Sequence, residues 1–255
     1  MTDPRIADSR LTQPPSLHLA QFNIARLRHP VDHPDSAGFV ALIDETNARA
    51  EASPGFAWRH GIDARDASDA PYDDPLITVN ASVWQSVAHL RDFAYRGFHR
   101  EVYRRRQEWM TDSAAVMWWL PAGSVPSMQA CMARLAFHDQ HGTTPYAFET
   151  GQNMSVLAVV PDGDLGLRLW VHDRWAGHAK WLLDGDVATL VDVQIGDERV
   201  DGAVDVTVDV TSSHLRAALI DAVEVALRDL AVRRLVTDNG EVRDLTQIRH
   251  RGVPH

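Results

Sequence analysis

The residues from Leu76 to Met110 constrain the fold of this chain most strongly, because their patterning changes abruptly from strand-like to helix-like. Residues 76–83 are rich in apolar and β-branched side chains, which predicts a buried strand. From Val87 to Met110, apolar side chains recur every three or four residues, which predicts one long helix with Ser82 or Ser86 as its N-cap. A strand that leads directly into an amphipathic helix is a typical unit of mixed α and β domains.

His99 lies at the edge of the apolar face of this predicted helix, one turn from Tyr95 and from Tyr103. A histidine in this position is either a structural residue bonded to the backbone or a ligand that faces a pocket. Gly97 lies inside the same helix, where it costs about 1 kcal/mol relative to alanine and lets a ligand or another backbone approach closely. The arginines at 104–106 can pair with nearby glutamates, which makes a solvated basic face the simpler interpretation.

The first 150 residues contain further predicted elements in an order that defines a fold. We predict strands at residues 16–27, 56–62, 76–83 and 114–120, and helices that begin near residue 36, at Val87 and at Val125, the last ending at His141. Strand, helix, strand, strand, helix, strand is the split βαβ or ferredoxin-like arrangement, with its helices on one face of an antiparallel sheet. The other face needs a cover, and four tryptophans on or beside strands favour a second sheet there: Trp58, Trp84, Trp118 and Trp119.

The composition excludes several classes of function. The formal net charge is −10, which argues against sequence-independent binding to nucleic acid or to an anionic membrane. Cys131 is the only cysteine, so the chain has no internal disulfide and no multi-cysteine metal site. No apolar run approaches the length of a membrane span, and residues 1–15 lack the apolar core of a signal peptide. We therefore expect a disordered leader, at residues 1–15, on a cytoplasmic protein.

A short loop, HPVDHP, follows the first predicted strand. His29 and His33 in this loop can ligate a metal together, although loop histidines beside prolines are usually only solvated. Asp35 or Ser36 then caps the next helix.

Five segments follow one another between residues 17 and 148: HLAQFNIARL, SPGFAWR, DDPLITVNASVWQSVAHLRDFAYR, HREVYRRRQEW and MWWLPAG. In this order they resemble a bacterial family of unknown function that belongs to the dimeric α+β barrel superfamily, among relatives of antibiotic-biosynthesis monooxygenases and of spheroidene monooxygenase. The resemblance implies a ferredoxin-like domain, at residues 16–150, that forms a homodimer sheet to sheet. It also implies a pocket for a small molecule between sheet and helices.

Some members of this superfamily are haem enzymes whose proximal histidine lies on the second helix. The resemblance therefore implies His99 as a candidate ligand of haem iron, with Trp84, Tyr95 and Tyr103 lining the cofactor site. The lead expectation is a small-molecule oxidoreductase of monooxygenase-like type, with haem as a candidate cofactor and His99 as its candidate ligand.

Other members of the superfamily need no cofactor and oxidise electron-rich aromatic substrates in an apolar pocket. Asn23, Asn80, Trp84 and His99 suit such a pocket, and Asn23 and Asn80 each lie among apolar strand residues. A buried amide needs hydrogen-bond partners, so both asparagines can also be structural. The alternative to an enzyme is a non-catalytic protein for ligand binding or assembly, in which His99 is structural.

The second half of the chain reads as a separate α+β domain with a mixed sheet, at residues 151–240, followed by a weakly ordered tail at 241–255. We predict strands at residues 155–160, 165–171, 173–181, 203–210 and 232–237, a hairpin turn at Asp184 and Gly185, and a helix at 214–230. The acidic face of strand 203–210 can attract a cation, though it is more simply solvated (Asp205, Thr207 and Asp209).

The segment DVTVDVTSSHLRAALIDAVEVALRDLAVRRLVTD resembles the second half of a GCN5-related acetyltransferase, which implies acyl transfer as a second alternative. The glycines with which that family cradles phosphate are missing from SSHLRAAL, so acetyl-CoA binding is doubtful on the residues alone.

Overall fold

The structure is a computed structural model and describes residues 16–61, 72, 74–149, 157–171, 174–195 and 212–246. It divides into two compact units, residues 18–152 and residues 153–246. Several predicted features lie outside the described residues: the leader at 1–15, the strand at 203–210 with its candidate cation ligands, and the tail beyond residue 246. The segment SSHLRAAL, where an acetyltransferase would have its phosphate-binding loop, is described and is helical.

The first unit is an α+β domain with ferredoxin-like topology, as predicted. Its elements are β1 (Leu17–Leu27), α1 (Ala37–Glu51), β2 (Phe56–Arg59), β3 (Ile77–Trp84), α2 (Val87–Tyr95), α3 (Gly97–Arg105), β4 (Met110–Pro121) and α4 (Met128–His141). The strands lie in the order β4, β1, β3, β2. Strand β3 pairs antiparallel with both β1 and β2, which is the arrangement that two interleaved βαβ units produce.

The register of the central pair follows from the buried apolar residues of β1. Phe22 and Ile24 are buried almost completely and share one face of the sheet, because alternate side chains of a strand point to the same side. On the opposite face, Leu19 pairs with Trp84 and Asn23 pairs with Asn80. A slip of one residue would move Phe22 and Ile24 off their buried face, so this hydrophobic pattern holds the register.

The single long helix predicted from Val87 to Met110 is wrong. Helix α2 ends at Tyr95, Arg96 is extended (φ −121°, ψ 152°), and α3 begins at Gly97 with a φ of +61°. Only glycine adopts a positive φ without a steric cost, so the residue that we expected inside a helix instead permits a sharp break. Met110, predicted to be helical, begins strand β4.

Other boundaries shift for local reasons. Ser86, not Ser82, caps α2 by accepting a hydrogen bond from the backbone N–H of His89. Helix α4 begins at Met128 instead of residue 125, because Ser127 caps it after Pro126. Strand β2 ends at Arg59 instead of residue 62, and β4 begins at Met110 instead of residue 114.

The second unit is also α+β, with a mixed sheet as predicted. Its elements are β5 (Leu157–Pro161), β6 (Gly166–Val171), β7 (Arg174–Asp184), β8 (Val187–Ile195), α5 (Ser212–Asp229), β9 (Arg234–Val236) and β10 (Val242–Asp244). Strands β5 to β8 form an antiparallel meander, and β9 joins β8 in parallel. The predicted turn between β7 and β8 contains Gly185 with a φ of +58°.

Strand β10 lies in the segment that we predicted to be a weakly ordered tail. It pairs antiparallel with β9, and Arg243 on β10 forms a 2.6 Å ion pair with Glu224 of helix α5. Glu224 is buried and also contacts Arg228 at 3.5 Å, so the carboxylate holds one strand and one helix together. A buried carboxylate requires such partners.

The tryptophans give less support to a second sheet than the sequence implied. Trp84 and Trp118 are 1% and 3% exposed within the chain itself, so they need no partner to cover them. Trp58 and Trp119 are half-buried. Among the described helices, none combines the length and the apolar character needed to cross a lipid bilayer.

Candidate functional site

Four aromatic rings form a continuous cluster between sheet and helices. Phe56 on β2 meets Trp84 edge to face at 5.4 Å between ring centroids. Phe93 on α2 stacks on Trp84 at 5.1 Å, and the imidazole of His99 on α3 lies 4.6 Å from the ring of Phe93. We call these residues (Phe56, Trp84, Phe93 and His99) the ring cluster. The cluster places His99 in an apolar environment one aromatic ring away from the buried tryptophan.

The break between α2 and α3 fixes the orientation of His99. Its Nδ1 lies 3.0 Å from the carbonyl oxygen of Ala94, in the last turn of α2, where helix carbonyls lack an internal partner. A carbonyl only accepts hydrogen bonds, so Nδ1 carries the proton and the lone pair of the neutral ring lies on Nε2. Among the described residues, Nε2 of His99 has no hydrogen bond or ion pair.

Burial lowers the pKa of His99 below its ordinary value of 6.5, although the hydrogen bond to Ala94 opposes this shift. The dominant cause is desolvation, which disfavours the charged imidazolium. At neutral pH the ring is therefore uncharged. A neutral imidazole with a free lone pair can accept a proton or bind a metal ion.

A row of polar side chains continues along the same sheet face as Trp84. Gln21 and Asn23 on β1 lie opposite Ser82 and Asn80 on β3, respectively. We call these residues (Gln21, Asn23, Asn80 and Ser82) the polar row. They share a face with Leu19 and Trp84, because all of them occupy alternate positions of the paired strands.

The two halves of the polar row differ in how their hydrogen bonds are satisfied. Ser82 Oγ accepts a hydrogen bond from Nε1 of Trp84 at 3.0 Å and donates one to Oε1 of Gln21 at 3.0 Å. In contrast, Oδ1 of Asn23 is buried and has no partner among the described residues. Its neighbour Asn80 is exposed, so this end of the polar row is open to solvent. The open end thus presents a buried acceptor that lacks a donor.

The structure brings together only part of the predicted site. Trp84 and His99 belong to one cluster, although Phe93 separates them. Tyr95 and Tyr103 are 44% and 45% exposed, and Arg106 covers the ring of Tyr103 at 4.0 Å. Within the described part of the chain, no hydrogen bond or ring contact joins His99 to either predicted asparagine.

Sequence reasoning missed four residues of this site: Gln21, Phe56, Ser82 and Phe93. Gln21 and Ser82 lie two residues from Asn23 and Asn80 on the same strands. The alternation of side chains along a strand was therefore sufficient to place them on the same face. Phe93 was not predicted, because its contact with His99 depends on the break at Gly97.

The comparisons with known proteins give a family but no activity. The profile of a protein family, described as a domain of unknown function (DUF3291), matches residues 18–159. No curated protein matches the chain significantly.

Three solved structures are similar to part of the chain, each with a TM-score of 0.32. SnoaB, a cofactor-independent oxygenase from Streptomyces nogalater, is 14% identical over 44% of this chain and 96% of its own. PA3566 from Pseudomonas aeruginosa is 10% identical over 42% and 96%, and NE2512, of unknown function, from Nitrosomonas europaea is 12% identical over 45% and 99%. Similarities at this level carry no argument about function.

Proposed function

The chain belongs to the DUF3291 family, and we propose that its first unit binds a small hydroxylated aromatic molecule and oxidises it in a monooxygenase-like reaction. The ligand lies on the open end of the polar row, against Asn23 and Asn80, and its apolar rings face the ring cluster. His99 is the proton acceptor of this site.

The unpartnered Oδ1 of Asn23 carries this proposal. A buried acceptor without a donor costs about 1–3 kcal/mol, and a hydroxyl group of a ligand would recover that free energy. Bound water is the competing donor, and it would also reach Asn23 from the exposed side of Asn80. The affinity for a phenol separates the two donors. If the ligand donates to Asn23, replacing this residue weakens phenol binding; if only water donates, phenol binding does not change.

His99 supplies the acid–base chemistry in this proposal. Nε2 of the neutral imidazole accepts a proton from the hydroxylated aromatic substrate. The hydrogen bond from Nδ1 to the carbonyl of Ala94 holds the imidazole in place. The deprotonated aromatic then gives its electrons to O₂. One oxygen atom enters the product and the other leaves as water with two hydrogens of the substrate, so no external reductant is needed.

A haem-dependent reaction is the second candidate, and the same histidine favours it. The hydrogen bond from Nδ1 to a carbonyl orients Nε2 of His99, and histidine ligands of metals are commonly held by such a bond from their other ring nitrogen. Haem iron bound there would supply the activation of oxygen. Phe93 offers an apolar ring beside the imidazole, and Trp84 lies behind Phe93, whereas Tyr95 and Tyr103 are largely exposed.

The test combines binding, oxygen consumption and haem uptake. Dihydroxynaphthalenes are titrated into the wild-type protein and into Asn23→Leu, and O₂ consumption is followed with His99→Gln and with His141→Gln as a matched exposed control. We expect Asn23→Leu to weaken binding about 10-fold or more. We expect His99→Gln to slow O₂ consumption about 100-fold or more, which is the range for loss of a general base. Haemin is titrated separately into the wild type and His99→Ala.

Each outcome selects one function. Stoichiometric haemin uptake that is lost in His99→Ala supports the haem-dependent candidate. Binding that depends on Asn23 without O₂ consumption supports the non-catalytic alternative, in which His99 only bonds to the backbone. Phenol affinity unchanged by Asn23→Leu, together with no haemin uptake, would refute the proposed site.

We also propose that the protein acts in the cytoplasm as a homodimer through its first sheet. The half-buried Trp58 and Trp119 support this interface, since Trp84 and Trp118 are already buried in the single chain. Light scattering that reports a monomer at micromolar concentration would contradict it.

A further inference from the structure

The loop between β1 and α1 brings two imidazoles and one carboxylate together at the surface. The rings of His29 and His33 stack at 4.3 Å with 16° between their planes. Oδ2 of Asp35 lies 3.6 Å from Nε2 of His29 and 3.8 Å from Nδ1 of His33. One ligand atom from each residue lies within 4.8 Å of the other two. We propose that these three residues bind one divalent transition-metal ion of the Zn²⁺ type.

The spacing of the donor atoms supports this proposal. In a tetrahedral zinc site with bonds of about 2.0–2.1 Å, neighbouring ligand atoms lie about 3.3 Å apart. The two distances from Asp35, 3.6 and 3.8 Å, exceed this spacing only slightly. The ligand atoms, which lie within 4.8 Å of one another, therefore have to approach by at most about 1.5 Å, and the two stacked rings have to turn towards one ion.

One existing bond competes with the metal. Nδ1 of His33 accepts a hydrogen bond from the backbone N–H of Asp35 at 3.2 Å. This bond is long and exposed to water, so an ion that binds through the same nitrogen displaces a weak interaction.

The backbone that carries the three ligands is held in place by its own hydrogen bonds. The N–H of His33 donates to the carbonyl of Pro30 at 3.0 Å, and the N–H of Ser36 donates to the carbonyl of His33 at 2.9 Å. The buried Ser36 also donates its hydroxyl to the carbonyl of His29 at 3.1 Å. A backbone that is already ordered lowers the entropic cost of assembling the site.

The donors determine the class of ion. Two imidazoles and one carboxylate suit Zn²⁺ and its neighbours in the transition series, whereas Mg²⁺ and Ca²⁺ prefer oxygen ligands. Three protein ligands leave one coordination position for water or a small anionic ligand. The proposal involves neither the ring cluster nor the polar row, so it stands apart from the proposed oxidation.

The test measures Zn²⁺ affinity by competition with a chromophoric chelator on the full chain. We expect one Zn²⁺ per chain, bound at least 10-fold more weakly by His29→Gln, His33→Gln and Asp35→Asn. Two matched controls should bind as the wild type does: Asp32→Asn removes an exposed carboxylate from the same loop, and His141→Gln removes an exposed histidine elsewhere. Zn²⁺ should raise the melting temperature of the wild type but not of the three site variants, and Mg²⁺ should have no effect.

Zn²⁺ affinity in the three site variants equal to that of the wild type would overturn the proposal. So would the absence of stoichiometric uptake by the wild type.

Discussion

The break between α2 and α3 depends on Gly97, and replacing this residue with alanine tests how strongly it is held. The φ of Gly97 is +61°, and a Cβ at this position would meet no atom within 4 Å apart from the adjoining backbone. Alanine therefore fits sterically, and its cost comes from the backbone alone. An L-residue in the left-handed region costs about 1–2 kcal/mol, which lowers the melting temperature by about 3 to 8 °C for a unit of this size.

Gly97→Ala should also release His99. In a continuous helix, the carbonyl of Ala94 would accept the backbone N–H of Phe98 and would no longer be available to Nδ1 of His99. If the strained break relaxes towards a continuous helix, the imidazole leaves its half-buried position and its pKa rises towards the ordinary value. NMR titration of the His99 ring measures this shift beside thermal unfolding.

Two variants make the comparison specific. Gly123→Ala also places alanine at a positive φ, +84°, with open space around the Cβ, so it should lose stability without changing the titration of His99. Gly97→Asn should lose less stability than Gly97→Ala, because asparagine tolerates the left-handed region better. The reasoning is refuted if Gly97→Ala melts at or above the temperature of the wild type.

Three further predictions concern buried groups. Burial raises the pKa of the Cys131 thiol to about 12, so it should not react with a thiol reagent at pH 8 until the protein unfolds. Burial lowers the pKa of His99, so the unfolded state binds more protons than the folded state below pH 6.5. The free energy of unfolding should therefore fall as the pH drops below 6.5. In denaturant titrations, His99→Gln should make the free energy of unfolding depend less on pH. Ser82→Ala leaves Nε1 of the buried Trp84 without an acceptor and should lower the free energy of unfolding by about 1–3 kcal/mol. Asn23→Leu should leave the free energy of unfolding unchanged or raise it. If urea unfolding shows Asn23→Leu to be the less stable variant, the assignment of their roles is contradicted.

Much of the fold follows from local patterns in the sequence. The alternation in β1 predicted a strand at residues 16–27, and the structure has Leu17–Leu27. The break at Gly97 was not predictable from the helical periodicity, since the apolar side chains keep their spacing across it. A glycine within such a pattern is compatible with a continuous helix and with a broken one. Here the helix is broken, and His99 makes tertiary contacts beside the break.

Strand β10 shows a second limit of local reasoning. Residues 242–244 form a short segment with two charged side chains, which predicts little order by itself. The segment is ordered through its pairing with β9 and through the ion pair of Arg243 with Glu224, nineteen positions earlier in the chain. A buried glutamate on a helix indicates that a basic partner exists, but its position in the sequence does not identify that partner.

The polar row has two opposed pairs of residues whose hydrogen bonding can be compared. Gln21 and Ser82 are directly opposite each other and are joined by a hydrogen bond, and Trp84 completes their network. Asn23 and Asn80 occupy the next opposed pair on the same face, yet Oδ1 of Asn23 is left without a partner. Both pairs share the same strands and face, but Ser82 is buried whereas Asn80 is exposed. The first pair is satisfied within the fold, whereas Oδ1 of Asn23 needs a donor from outside it, which is either water or the ligand that we propose.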